Sequence, residues 1–224
     1  MDGLDEQLFK AVEVSNAEEI ERLIARGANV NSAGRGTPII VAASSGQDVD
    51  CLELLLNNGA NVDSSDNNGY TSLMKASQLG HVYCVELLLN RGANIAAVTT
   101  DQQTALQIAA ECGQIECMEL LLKYGSNVDA VDAYGKTALM DAAARGNVAC
   151  LELLLKHGAR LNFDEALQLS GDEGHDTCVI ALRNHLSGKM KNIKGRKNRA
   201  LFKKKMSLVV VCASLVFASV KRLN

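Results

Sequence analysis

Cysteine is the first residue type in this chain with chemistry to offer. Cys51, Cys84, Cys117 and Cys150 each open an apolar run and stand 33 residues apart, and Cys178 opens a related run further on. Cysteine thiolates hold zinc when about four ligands converge within a few ångströms. Positions that recur once per unit of a stack instead lie roughly 10 Å apart, the spacing of packed helices. The ladder therefore cannot close on one ion, and it reads as small apolar filling. Cys112, just before Gly113, is off the ladder and is the candidate for an exposed, reactive thiol. Among the histidines, His81 and His175 follow glycines and His157 precedes one. None has a serine, aspartate or cysteine beside it in a repeated arrangement, so no nucleophile, base and orienting group can be assembled. Turn and capping bonds are their expected work. Phosphate-binding glycine loops and dinucleotide fingerprints are also missing. The sequence predicts no enzyme, no catalytic residue, no cofactor and no metal.

The elements that carry these residues are repeated. Cys84-Val85-Glu86-Leu87-Leu88-Leu89 has counterparts beginning at Cys51, Cys117 and Cys150, each followed by a glycine at 59, 92, 125 or 158 and an apolar residue at Val62, Ile95, Val128 or Leu161. A fixed period of this length marks a stacked array whose units cannot bury their apolar faces alone. Upstream of each run stands Thr37-Pro38-Ile39, Thr71-Ser72-Leu73, Thr104-Ala105-Leu106 or Thr137-Ala138-Leu139, then a pair of small residues, then Gly46, Gly80, Gly113 or Gly146. Threonine can accept a bond from an amide of the first helical turn. Proline is tolerated just after it, and glycine ends the helix. Each unit is thus predicted to be two short helices around a tight turn. A single proline and no tryptophan suit such a chain.

In these features the chain resembles the ankyrin repeat, whose period is 33 and whose signature begins Thr-Pro-Leu-His. The resemblance covers roughly residues 4–186. It implies an all-α solenoid of stacked helix-turn-helix units joined by β-hairpin loops. On this reading 1–35 is an N-terminal capping unit, and 36–161 holds four repeats at about 36–68, 69–101, 102–134 and 135–161. A C-terminal capping helix pair follows at 162–187, where the step from Gly146 to Gly174 falls to 28 residues.

Departures carry expectations of their own. Thr37 to Thr71 is 34 residues, which predicts a longer turn around Gln47-Asp48-Val49-Asp50. Ile40, Met74, Gln107 and Met140 stand where the family signature has histidine. Gln102 replaces a hairpin glycine, which predicts a less sharply turned hairpin there.

Family members bind partner proteins with hairpin tips and the concave face of the first helices. The matching variable positions here are Asn67, Asn68, Tyr70, Gln78 and Leu79, then Thr100, Asp101, Gln103 and Glu111, then Tyr134, Lys136 and Arg145. Tyr70 and Tyr134 are the expected anchors, because tyrosine offers area and a polar tip at low entropic cost. Hairpin asparagines of the family can be hydroxylated, and Asn31 and Asn162 occupy that place whereas Asp63 and Asp129 do not. The implied function is a non-enzymatic scaffold or adaptor for an unidentified protein partner, with no small-molecule substrate.

Charge divides the chain in two. From Gly188 onward lie 11 of the 23 Lys and Arg and none of the 26 Asp and Glu, so the body carries about −14 and the tail +11. Residues 188–206 read as a basic linker and 207–224 as a short apolar segment. The run at 207–220 would span about 21 Å as a helix at ~1.5 Å per residue, short of the roughly 30 Å hydrocarbon core. Lys203, Lys204, Lys205, Lys221 and Arg222 could snorkel around it as a tail anchor, for instance at the mitochondrial outer membrane. A nuclear or nucleic-acid arm is the other reading of the basic stretch, and a plain solvated linker the third. The acidic start, Met1 to Glu6, lacks the pattern of a secretory leader, so a reducing, cytoplasmic setting is expected, with membrane or nucleus as alternatives.

Overall fold

The computed structural model describes residues 3–33, 36–46 and 49–192, with side chains to 187. Lys203, Lys204, Lys205, Lys221, Arg222 and the 207–220 run lie outside the described residues. Among those described are twelve helices. The inner row consists of α1 (Gly3–Glu13), α3 (Pro38–Ser45), α5 (Ser72–Leu79), α7 (Ala105–Cys112), α9 (Ala138–Ala144) and α11 (Phe163–Asp172). The outer row consists of α2 (Ala17–Ala25), α4 (Val49–Asn57), α6 (Val82–Asn90), α8 (Ile115–Lys123), α10 (Val148–Lys156) and α12 (Asp176–Asn192). Each inner helix packs on the next inner helix and on its own outer partner, and the outer row is continuous in the same way. Among the described residues no helix is long and apolar enough to cross a membrane.

Local sequence explains why each unit folds this way. Thr71, Thr104 and Thr137 accept from the amides of Met74, Gln107 and Met140 and so cap α5, α7 and α9. Thr37 departs from this: its hydroxyl is buried without a partner among the described residues, and Pro38 holds the first helical position. Gln107 turns the missing histidine into a capping box. Its Oε1 accepts from the Thr104 amide at 3.0 Å, while its Nε2 donates to the Lys136 carbonyl of the next unit at 2.9 Å.

The leucine runs then face the stack. Leu55, Leu88, Leu121 and Leu154 are fully buried, and so, within a few per cent, are Cys51, Cys84, Cys117, Cys150 and Cys178. Each such leucine contributes about 1.5–3 kcal/mol relative to an exposed one. Burial pushes the thiols of Cys84, Cys117, Cys150 and Cys178 up, that of Cys117 to about 11, which keeps these four protonated and apolar.

Among the described residues three hairpin fingers project from the array, each closed by one antiparallel bridge: Ser65 with Thr71, Val98 with Thr104, and Val131 with Thr137. The expected slackening at Gln102 does not occur. Its φ is 62°, in the left-handed region with Gly69 at 79° and Gly135 at 74°, and the bridge beneath it is kept. The hairpin bonds hold a non-glycine residue where its Cβ is strained, at about 1 kcal/mol. Gln102→Gly should accordingly raise stability by about 0.5–1 kcal/mol in urea unfolding; a loss of stability would show the side chain to be supporting the finger.

The longer turn expected around Gln47-Asp48-Val49-Asp50 falls between the end of α3 at Ser45 and the start of α4 at Val49. Gln47 and Asp48 themselves lie outside the described residues. At the other end α12 runs on to Asn192, past the 187 boundary and into the basic stretch.

Candidate partner-binding face

Side chains at matching positions join each of the last four units to the one before it. His81 Nε2 lies 3.2 Å from the Ser44 carbonyl, Gln114 Nε2 donates to Gln78, Asn147 Nδ2 donates to Ala110 and Glu111, and His175 Nε2 lies 3.0 Å from the Ala144 carbonyl. These groups satisfy the open carbonyls at the ends of the inner helices. A second set runs along the hairpin bases. Asn31 Oδ1 accepts from the Asn61 amide, Asp63 Oδ1 from Asn94, and Asp129 Oδ1 from Arg160 and Leu161. Asn162 Nδ2 donates to the Gly135 carbonyl. The residues considered for hydroxylation are therefore structural stitches between units, and aspartate serves in the same place.

The positions expected to meet a partner are carried by the fingers and the inner helices. Asn67, Asn68, Thr100, Asp101, Tyr134 and Lys136 are exposed on the fingers. Three of them also stack one finger on the next through the backbone: the Thr100 amide donates to the Asn68 carbonyl at 2.9 Å, and the Ala133 amide donates to the Asp101 carbonyl at 2.8 Å. Gln78 and Glu111 are half-buried on the inner helices; Leu79 at the end of α5 and Arg145, the C-cap of α9, are exposed. Gln103 is half-buried at the base of its finger. Arg145 reaches across units to Glu111, an ion pair with an N–O distance of 2.5 Å.

The two tyrosines divide in role. Tyr134 is 73% exposed on its finger. Tyr70 is half-buried against the core, with the Lys75 ammonium 4.0 Å from its ring centre, and Lys75 also lies 3.7 Å from Asp66 Oδ2. Burial, with Glu111, Asp66 and Asp101 nearby, pushes the Tyr70 hydroxyl up. Tyr70 is thus a packed side chain and Tyr134 an exposed one. Sequence reasoning passed over Val98 and Val131, which are 38% and 47% exposed on the fingers. The available signal was their equivalence to Ser65, one period apart, with a change from polar to apolar. Cys112 is exposed, yet burial of its sulfur and the Glu111 carboxylate push its thiol up, contrary to the activated thiolate considered from sequence.

Asp141 also went unnoticed. It sits in the interior of α9, is 6% exposed, and its Oδ2 has no hydrogen-bond partner among the described residues. Burial, reinforced by Glu111 and Asp132 against the pull of Lys136 and Arg145, pushes its carboxyl up to about 7.

The family model for ankyrin repeats (three copies) matches residues 8–99 and 96–165. The chain belongs to the ankyrin-repeat family. Its likeness to individual ankyrin proteins is local. It is 42% identical over 72 residues to "Potassium channel AKT1" of Oryza sativa, a match covering 32% of this chain and 8% of that protein. It is 40% identical over 79 residues to the human "Arf-GAP with coiled-coil, ANK repeat and PH domain-containing protein 2", covering 34% of this chain and 10% of that protein. The chain thus spans about a tenth or less of the relatives it matches, and the likeness resides in the ankyrin array. Ankyrin repeats generally mediate protein–protein interaction.

Proposed function

We propose that this ankyrin array is a non-enzymatic scaffold that binds a partner protein through its finger tips and the concave face of its inner helices. The observation that carries the reading is the exposed apolar strip on consecutive fingers, Val98, Val131 and Tyr134, beside the charged positions Asp101, Lys136 and Arg145. An aromatic anchor with apolar neighbours and a polar surround is the usual composition of an interface centre. The framework residues behind the strip are committed to bonds between units, so the surface is rigid before a partner arrives and little ordering entropy opposes binding.

The test compares partners captured by the full chain and by Tyr134→Ala, identifies them by mass spectrometry, and repeats the comparison with purified proteins. Tyr134→Ala should weaken binding by about tenfold or more, in the range of a truncated interface anchor, with an unchanged melting temperature. Tyr70→Ala should lower both binding and stability, because Tyr70 packs on the core and under Lys75. Identical partners and affinities for wild type and Tyr134→Ala would remove the finger strip as the binding surface.

A further inference from the structure

The array stacks its fingers through the backbone, and the series stops one short. Tip amides of the later fingers donate to the finger before them, Thr100 to Asn68 and Ala133 to Asp101. One period beyond Asn68 and Asp101 stands Tyr134, whose carbonyl accepts no bond among the described residues. The final unit passes from Gly158 to α11 at Phe163 without a finger of its own.

What such a finger would cover is left open. Leu161 is 43% exposed, whereas its counterparts Val62, Ile95 and Val128, each followed by a finger, are half-buried. Val131 and Tyr134 are exposed on the last finger itself. Residues 160–162 run beside that finger: the amides of Arg160 and Leu161 donate to Asp129 Oδ1 at its root, and Asn162 Nδ2 donates to the Gly135 carbonyl in its turn. An unpaired edge flanked by apolar side chains is a template for one more extended segment.

The chain carries such a segment to this side of the stack. α12 passes the start of α11, where the His185 and Phe163 rings stack 6.3 Å apart, and runs on to Asn192. Phe163 adjoins Asn162, which holds the last finger, so the residues after Asn192 start from the finger side. From Asn192 to Lys203 they can span up to ~36 Å, at roughly 3.3 Å per residue. The 207–220 run that follows is rich in valine, which favours an extended, half-buried strand. Charge matches as well. Asp101, Asp164 and Glu165 are exposed on the finger side, with Lys136 and Arg160 as the cations among them, and the tail bears about +11 against the body's −14.

We propose that residues 203–220 of the chain itself dock on the outer side of the last finger, in the place of the missing one. The valines cover Val131, Tyr134 and Leu161, and Lys203, Lys204 and Lys205 face the acids. The proposal rests on the finger strip being the partner-binding surface and adds its regulation, since a partner must displace the tail to reach Val131 and Tyr134. Apparent affinity for a partner is then reduced by the fraction of molecules whose strip is free.

The test places a nitroxide on Cys212 of the isotope-labelled full chain in a Cys112→Ser background, Cys112 being the exposed cysteine among the described residues. Amide signals of Val131, Tyr134 and Leu161 should broaden and recover when the nitroxide is reduced, while those of Glu86 and Glu119 on the outer row should not change. Val210→Asp should abolish the broadening with the array still folded by its amide dispersion. Partners lost by Tyr134→Ala should bind Val210→Asp about tenfold more tightly than wild type, as for a strip free in about a tenth of the molecules. Broadening that persists with nitroxide and isotope on different chains would make a second copy the occupant. Absence of broadening at Val131, Tyr134 and Leu161 with both on one chain would place the tail elsewhere, at a membrane or in solvent. Either result overturns the docking. An undocked tail beside a Tyr134→Ala variant that loses its partners would leave the partner-binding reading standing; a docked tail beside a Tyr134→Ala variant that keeps every partner would retain the docking and remove that reading.

Discussion

Asp141→Asn is expected to make the protein more stable at pH 8, by on the order of 2–4 kcal/mol. Most substitutions of a buried polar residue do the reverse. Here the side chain is 6% exposed, one oxygen is unpartnered, and the carboxyl titrates at about 7 rather than 3.8. The folded state therefore holds a proton that the unfolded chain releases. Between about pH 4 and pH 7 the folded state binds more protons, so stability falls as pH rises; below that window both states are protonated, and above it the penalty is complete. An isosteric amide carries no charge at any of these pH values and removes the slope. Urea unfolding of both proteins at pH 4, 6 and 8 should give curves that coincide at pH 4 and separate progressively. Coincidence at pH 8 would mean that the carboxylate is hydrated or paired in solution.

A large loss is expected from Gly46→Ala. Gly46 ends α3 with φ at 60°, and a Cβ there would lie 2.2 Å from the His81 ring of the following unit. The left-handed backbone alone costs an alanine about 1–2 kcal/mol. Moving the ring also breaks its contact with the Ser44 carbonyl, worth about 1 kcal/mol or more. Together the loss should be about 2–4 kcal/mol. A double-mutant cycle separates the two contributions: in a His81→Ala background only the backbone contribution remains, so Gly46→Ala should there cost about 1–2 kcal/mol. An equal cost in both backgrounds would show that His81 does not depend on the glycine. The broken contact joins neighbouring units of a stack, where cooperativity depends on nearest-neighbour interfaces. Unfolding of the single variant should therefore broaden as well as shift.

Much of the fold was legible because its determinants are local and repeated. A threonine, two small residues, a glycine and a leucine run at a period of 33 specify a helix pair whatever lies beyond it. The roles of Gly46, Gly80 and Gly113 as helix ends followed from their place after the small pair, and their φ values of 60°, 78° and 74° agree. Gln102 misled because glycine at a hairpin is a preference of the residue, whereas the conformation there is imposed by the finger it stacks upon. Finger exposure was legible for Asn67, Asn68, Thr100, Asp101, Tyr134 and Lys136, since tips project from any stack of this kind.

What the sequence alone determined, then, is the unit, the number of helix pairs and the direction in which the variable residues face, because these depend on spacing within about one period. Only the tertiary structure decided how residues a period or more apart modify one another. It put the His81 ring over Gly46, made Asp63 and Asp129 stitches between units, and packed Tyr70 under Lys75. It also made Asp141 a buried acid, although Lys75 and Ile108 occupy the same position of the repeat without that consequence. Burial and electrostatic environment belong to the neighbours that packing brings together, and a carboxylate's energy depends on them more than on its place in the period.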